Sequence, residues 1–423
     1  MTREQDSPPP PRPQAGTSLA ETRLGPRPLP LHLAVAAMTL LTSRGALPLL
    51  RKGSLDWRPE LAAKAASLRQ SAEALDERQV EQALGAAAAR RWSDFLKGVL
   101  AYRRHGYQRS LPDPRIVWQD GATRLLAYAP KGRRTGRPVL VVPSLINRAY
   151  VLDLTEERSF LRDLAARGFR PYLVDWGQPS GAERGFTLGD YITGRLNAAL
   201  DAVLAETGTR PALVGYCMGG TMSVALAQRR QADLSGLILL AAPWDFQADP
   251  TPVVAALPGM LPGLMGVVAA LGELPTDIIQ SLFLGLDPHL GYRKFRTFAG
   301  LDPDSAKAHA FVALEDWLND GVALAGPVAR ECLEGWYINN DPARGNWRVA
   351  GDVVDPTAIR LPSLAMVPAD DRIVPPASAL ALATALPGCT VLRPPLGHIG
   401  MMAGGSAIEK VWSPLADWLK NHR

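Results

Sequence analysis

Cys217 stands in "LVGYCMGGTM", residues 213–222, between an apolar strand-like run and an apolar helix-like run. Gly215, Gly219 and Gly220 flank it, and glycine lets neighbouring backbone come close without a Cβ clash. A strand, a sharp turn and a helix around Gly-x-Cys-x-Gly-Gly is the local build of a nucleophile elbow, with sulfur in the usual place of serine. The Met218 amide then lies at a helix start, where unpaired N–H groups and the helix dipole favour negative charge. That setting suits both a thiolate and an oxyanion. A buried cysteine at a glycine-rich packing turn would look the same over this window, so the assignment needs an acid and a base from elsewhere.

Both occur downstream. "VPADDRIVP" follows a strand-like run, and Pro375 and Pro376 open the next helix, which leaves Asp370 or Asp371 on the intervening loop. "PPLGHIGMM" follows the next strand and places His398 between Gly397 and Gly400. A neutral imidazole can take a thiol proton while a carboxylate fixes its tautomer. Nucleophile, acid and histidine in that chain order is the order of α/β-hydrolase triads. The second oxyanion donor is expected among the amides of Leu145 to Asn147, after the strand "PVLVVPS", with Ile146 preferred. Asn147 serves equally well as a turn residue that ties the loop down.

The remaining reactive residues fall into quieter settings. His32, His105, His289, His309 and His422 pair with no carboxylate or cysteine at metal-ligand spacing. Cys332 and Cys389 read as core cysteines. "GMLPGLMG" matches no phosphate-loop or dinucleotide fingerprint. No metal and no cofactor is expected. Trp244, Trp317 and Trp336 either line an acyl tunnel or pack the cap onto the core.

The elements that must position this set alternate. From "TRLLAYAP" to "LSGLILLAAP" strands and helices follow each other with short links, the pattern of a mostly parallel sheet covered on both faces. Residues 244 to about 350 interrupt the alternation with helical, Gly/Pro-punctuated, Trp-rich sequence. This reads as a cap inserted over the carboxyl edge of the sheet. The core resumes at "LPSLAMVPADDRIVP" and ends in a helix around "IEKVWSPLADWLKNH". Upstream, residues 1–30 read as a disordered proline-rich tail and 31–112 as a helical N-terminal region of perhaps three helices. Residues 113–423 read as an α/β-hydrolase-like catalytic domain that includes this cap. The run Leu31–Leu41 is apolar but below transmembrane length, which predicts a short amphipathic or buried helix at most attached to a surface.

Composition bounds the class. The 423 residues carry 46 Lys and Arg against 41 Asp and Glu, a net charge of +5, with no dense basic block of the kind that marks a nucleic-acid arm. Three cysteines make no disulfide framework and suit a reducing compartment. The opening "MTREQDSPPPPRPQAG" lacks the build of a signal peptide. A cytoplasmic protein is expected.

A thiol nucleophile also narrows the chemistry. Thiolate attack on a thioester yields another thioester, so the acyl group stays activated for a later alcohol. The residues alone give a thiol enzyme of the α/β-hydrolase type, transferase or hydrolase, and no substrate.

Beyond that, the stretch from about Thr123 to Trp418 resembles the poly(3-hydroxyalkanoate) synthases, especially the short kind that works with a second subunit. The resemblance is carried by "SLINRAYVLDLTEERSFLRDLAARGF", "PYLVDWG", "FTLGDYI", "GYCMGGT", "LEDWLND", "DDRIVPP" and "GHIG". It implies that Cys217 carries the growing chain, that the acid is Asp371 rather than Asp370, and that His398 is the base. It implies a 3-hydroxyacyl-coenzyme A substrate, a polyester granule surface as location, and either a homodimer or a second synthase subunit. Arg372 stands where the family commonly has histidine, and Met218 where the short synthases often have glutamine. The rival expectations are a thiol-dependent thioesterase or polyester esterase, and a granule-associated protein without turnover.

Overall fold

The computed structural model describes residues 23–128 and 135–422. Its centre is an eight-stranded sheet. The strands are β1 (Arg115–Asp120), β2 (Thr123–Ala127), β3 (Pro138–Val142), β4 (Arg170–Asp175), β5 (Ala212–Tyr216), β6 (Gly236–Leu240), β7 (Ser363–Met366) and β8 (Thr390–Leu392). Their spatial order is β1-β2-β4-β3-β5-β6-β7-β8. β1, β2 and β4 pair antiparallel, and all pairs from β4 to β8 are parallel. The fold is that of an α/β hydrolase.

The apolar runs explain why these strands are central. β3, β5, β6 and β7 are buried at every position, as strands sandwiched between two helical layers must be. Side chains alternate between the two layers. Val139 and Val141 join Phe160, Leu164 and Trp412 on one face. Leu140 and Val142 join Met222, Leu200 and Leu257 on the other. β1 went unread in the sequence because it is a mostly exposed edge strand, "RIVWQD", without a clean apolar face.

The insertion leaves the sheet after β6 and returns at β7. It contains the helices Pro252–Leu271, Thr276–Leu284, Leu290–Phe298 and Ala306–Asn319. Of the N-terminal helices, Leu29–Arg51 and Glu77–Arg104 pack against this insertion, while Ala62–Glu73 packs on the first of them. Phe95 and Tyr102 meet Phe295 edge-on, with centroids 6.5 and 5.6 Å apart. Gly98 makes the crossing close: a Cβ there would lie 1.9 Å from the Phe295 carbonyl oxygen.

Two expectations change. Residues 1–22 lie outside the described residues, but the rest of the expected tail is ordered. Arg23 is buried and its guanidinium grips Asp316 with two hydrogen bonds of 2.6 and 2.7 Å. A buried ion pair with further backbone acceptors, here the carbonyls of His105 and Tyr107, fixes a segment whose proline-rich neighbourhood reads as disordered. The second change is the length of the first helix. It runs 23 residues, through Ser43 and Arg44, because nothing at those positions breaks a helix. By length and composition Leu29–Arg51 and Pro252–Leu271 are each apolar enough to cross a membrane. Ala36, Leu40 and Leu47 of the first are buried, the first two in the cluster formed with Phe95 and Val99.

Candidate active site

β5 delivers Cys217 into a turn with φ 56° and ψ −130°. A left-handed φ on a residue with a side chain costs on the order of 1–3 kcal/mol and persists only where surroundings impose it. Here the Cys217 N–H donates to Leu240 O at 2.9 Å and its carbonyl accepts from Gly220 N at 2.8 Å. The glycines permit the crossing of strand and helix: a Cβ on Gly219 would sit 2.2 Å from Val142 O. Met218 opens the helix Met218–Arg229 directly after the cysteine.

The acid and the histidine come from the loops after β7 and β8. Those loops are zipped together by Ala369 N to Pro394 O at 2.9 Å and Asp370 N to Leu396 O at 3.1 Å. Asp370 is exposed while Asp371 is buried. Asp371 Oδ1 accepts from the amides of Ile373 and Val374 at 2.8 and 2.9 Å. Its Oδ2 lies 2.7 Å from His398 Nδ1. Burial opposes charge on His398, but Cys217 and Asp371, by field and by hydrogen bond, outweigh it and raise its pKa to about 10. In space His398 stands between Cys217 and Asp371, whereas along the chain the carboxylate precedes the histidine.

A cavity of about 410 Å³ opens onto Cys217 and His398. Ile146, Phe283, Leu286 and Trp317 give it apolar walls. Ile146 borders the cavity, but its N–H is turned onto Ser144 Oγ at 3.2 Å. Asn147 pairs with Gly321 in an isolated antiparallel bridge, and Ile146 O accepts from Val322 N at 3.0 Å. Trp317 Nε1 donates to Arg148 O at 2.7 Å. The loop after β3 is thus tied to the "WLND" segment of the insertion, 169 positions away in the chain from Arg148 to Trp317, which no local pattern announces.

Of the three tryptophans, Trp317 lines the cavity. Trp244 and Trp336 instead pack with Trp347, at 6.1 and 5.2 Å between centroids. Cys332 is buried, and burial pushes its thiol pKa well up; Cys389 is half-buried and pushed up to about 11. The sequence reading passed over His32, which reaches the cavity wall together with Pro26 and Arg27 from the far N-terminus. Among the described residues, no group of three or more His, Cys, Asp or Glu side chains is placed to hold a metal ion.

Comparison with known proteins follows the same lines. Residues 137–404 match the alpha/beta hydrolase fold family, and residues 106–164 match the family described as poly-beta-hydroxybutyrate polymerase N-terminus. A poly(3-hydroxyalkanoate) polymerase subunit of Synechocystis sp. is 35% identical over 296 residues, 68% of this chain and 78% of that protein. The subunit of the same name from Allochromatium vinosum is 32% identical over 310 residues, 72% of this chain and 87% of that one. Among solved structures, a thermophilic esterase from Thermogutta terrifontis aligns with a TM-score of 0.41 at 19% identity, covering 74% of this chain and 99% of its own.

Proposed function

The chain belongs to the poly(3-hydroxyalkanoate) polymerase subunits, an acyltransferase family, and on that premise we propose that Cys217 carries the acyl chain, with His398 as its base and Asp371 as the orienting carboxylate. The observation that carries this reading is the contact of His398 Nδ1 with the buried Asp371, 2.7 Å apart, at a cavity that also exposes Cys217.

The substrate is a 3-hydroxyacyl-coenzyme A. His398 takes the Cys217 proton, and sulfur attacks the thioester carbonyl carbon. The new C–S bond forms, the bond to coenzyme A breaks, and the departing thiolate recovers the proton from His398. The 3-hydroxyl of a second unit then gives its proton to His398 and its oxygen attacks the acyl-cysteine. Cys217 leaves as thiolate and an ester is made. The Met218 N–H, at the first turn of its helix, donates to the oxyanion of both steps. Ile146 is its partner only when its N–H turns from Ser144 Oγ toward the oxyanion. Apolar walls limit water, which favours transfer to an alcohol over hydrolysis.

The protein acts in the cytoplasm at the surface of polyester granules, as a homodimer or with a second synthase subunit. The outward apolar residues Met38 and Leu41 of the first helix, and Met260 and Leu271 of the insertion, support contact with an apolar surface.

The test supplies purified protein with 3-hydroxybutyryl-coenzyme A and follows coenzyme A release and product together. Ester-linked polymer, and after a brief pulse a mass adduct on the Cys217 peptide that C217A lacks, are expected. An adduct on Cys332 or Cys389 in active protein, or free acid as the main product, overturns the reading.

A further inference from the structure

Asp371 holds His398 at Nδ1, and Cys217 is its other side-chain hydrogen-bond partner. Both contacts lie at the ring edge and leave the imidazole plane free to tilt about the line between them, and misplacement of a catalytic group by about 1 Å costs on the order of a hundredfold in rate. A restraint on the plane is present. Tyr216, the last residue of β5, stacks its ring on the His398 ring, with centroids 5.1 Å apart and planes 29° from parallel. Its hydroxyl donates to the His398 main-chain oxygen at 3.1 Å.

We propose that Tyr216 is a positioning residue for His398: its hydroxyl clamps the histidine backbone and its ring face holds the imidazole plane and favours the protonated form. The proposal rests on the reading of Cys217, His398 and Asp371 as the reacting set.

Tyr216 is 4% exposed in a strand that is otherwise Ala, Leu, Val and Gly. A phenol hydroxyl placed there is costly unless it finds a partner, and phenylalanine would fill the same space without that cost. The partner it finds is the residue on which acyl transfer turns. The ring face of an aromatic also attracts a cation within about 6 Å of its centroid. Burial, with Cys217 and Asp371 nearby, holds the phenol of Tyr216 protonated, so it remains a donor. The charged groups that act on His398 are Cys217 from the elbow and Asp371 from the neighbouring loop. The other charges on the cavity wall are engaged elsewhere: Lys294 with Glu315, Arg148 with Asp320, Arg27 with Asp277, and Arg293 and Arg372 with Asp287. Because Tyr216 adjoins Cys217 in the chain, one strand end sets both the nucleophile and the plane of its base.

Y216F, Y216L and H398A are compared with the parent for single-turnover acylation by 3-hydroxybutyryl-coenzyme A across pH. Histidine-selective 15N NMR follows the His398 titration, and thermal melts report folding. Y216F, which loses one hydrogen bond, is expected to slow acylation about threefold to tenfold without moving the alkaline limb. Y216L is expected to slow it further at unchanged KM and to move the His398 titration down by about half to one pH unit. Parent-like rates in Y216F, or a lowered melting temperature in Y216L with an unmoved titration, overturns the proposal. If Y216L does not fold, Y216F decides alone. Normal acylation by H398A would instead overturn the underlying reading, so the two failures are distinguishable.

Discussion

At the scale of single residues, Asp370 and Asp371 are neighbours with opposite fates. Asp371 spends one oxygen on two backbone amides and the other on His398, while Asp370 faces solvent. D371N is therefore expected to slow acylation of Cys217 by on the order of a hundredfold or more. D370N should remain within a few-fold of the parent by the same physics of solvated charges. The pH profile carries a sign. The raised His398 pKa, about 10 beside Cys217 and Asp371, means that the proton His398 takes from Cys217 stays on it for the departing coenzyme A until pH rises through about 10, so the limb assigned to this donor step falls on the alkaline side. D371N removes one of the raising causes, and that limb should move to lower pH. Measurement of kcat/KM against pH in both variants, with folding matched by circular dichroism, checks it. A crippled D370N beside a normal D371N would move the acid by one residue.

Elements bring the N-terminal segment to the site. Arg23 bridges to Asp316 in the last turns of the helix Ala306–Asn319, and Tyr102 and Asn319 complete the network. Both partners of the ion pair are nearly excluded from solvent. Removing one side of a buried pair strands the other, at a cost of about 3–5 kcal/mol. R23A should lower the melting temperature markedly and loosen the cavity wall, raising KM for the thioester more than an equally destabilising change in the helix Ala62–Glu73. Chemical denaturation with parallel kinetics tests that pairing. His32 makes the same element pH-sensitive. Burial first, and then Lys294, lowers its pKa to about 4, below the ordinary 6.5 of an unfolded chain. Stability from this group is fully present above about 6.5 and is lost as pH falls toward and through 4. Melts at pH 7 and pH 4.5 should show a larger drop for the parent than for H32N; equal drops would assign acid sensitivity elsewhere.

On the scale of the whole molecule, three bodies of sequence meet at one cavity: the sheet edge supplies Cys217 and His398, the insertion supplies Phe283 and Trp317, and the N-terminus supplies Pro26 and His32. A cavity with mostly apolar walls predicts how the enzyme treats a substrate that lacks its acceptor. Acyl-coenzyme A without the 3-hydroxyl should acylate Cys217 once and then stall, while the 3-hydroxyacyl substrate turns over repeatedly into ester-linked product. Burst amplitude against steady-state rate separates the cases in a stopped-flow assay of coenzyme A release. Rapid, equal turnover of both substrates to free acid would identify a thioesterase.

The sequence by itself determined the α/β architecture and marked Cys217, the Asp370–Asp371 pair and His398 as candidates for the site, because these signals are written locally. Strand runs such as "VLVV" and "LILL" must be buried on both faces wherever they lie, and the glycines of "GYCMGG" allow one kind of turn. The start of the helix Pro376–Ala385 was legible in the same way, from its opening prolines. Tertiary structure decided what depends on distant partners. The chain resemblance chose Asp371 over Asp370, and burial and hydrogen bonds show the reason, which no spacing contains. Trp317 faces the cavity while Trp244 and Trp336 pack in the core, a difference set by how the insertion folds back. Arg23 looked like tail sequence until its carboxylate partner, 293 positions away, was in place. Tyr216 reads as one more apolar strand residue until the His398 loop closes over its ring. Local patterns fix what a segment must bury or bend; which distant side chain it meets is settled only when the whole chain has packed.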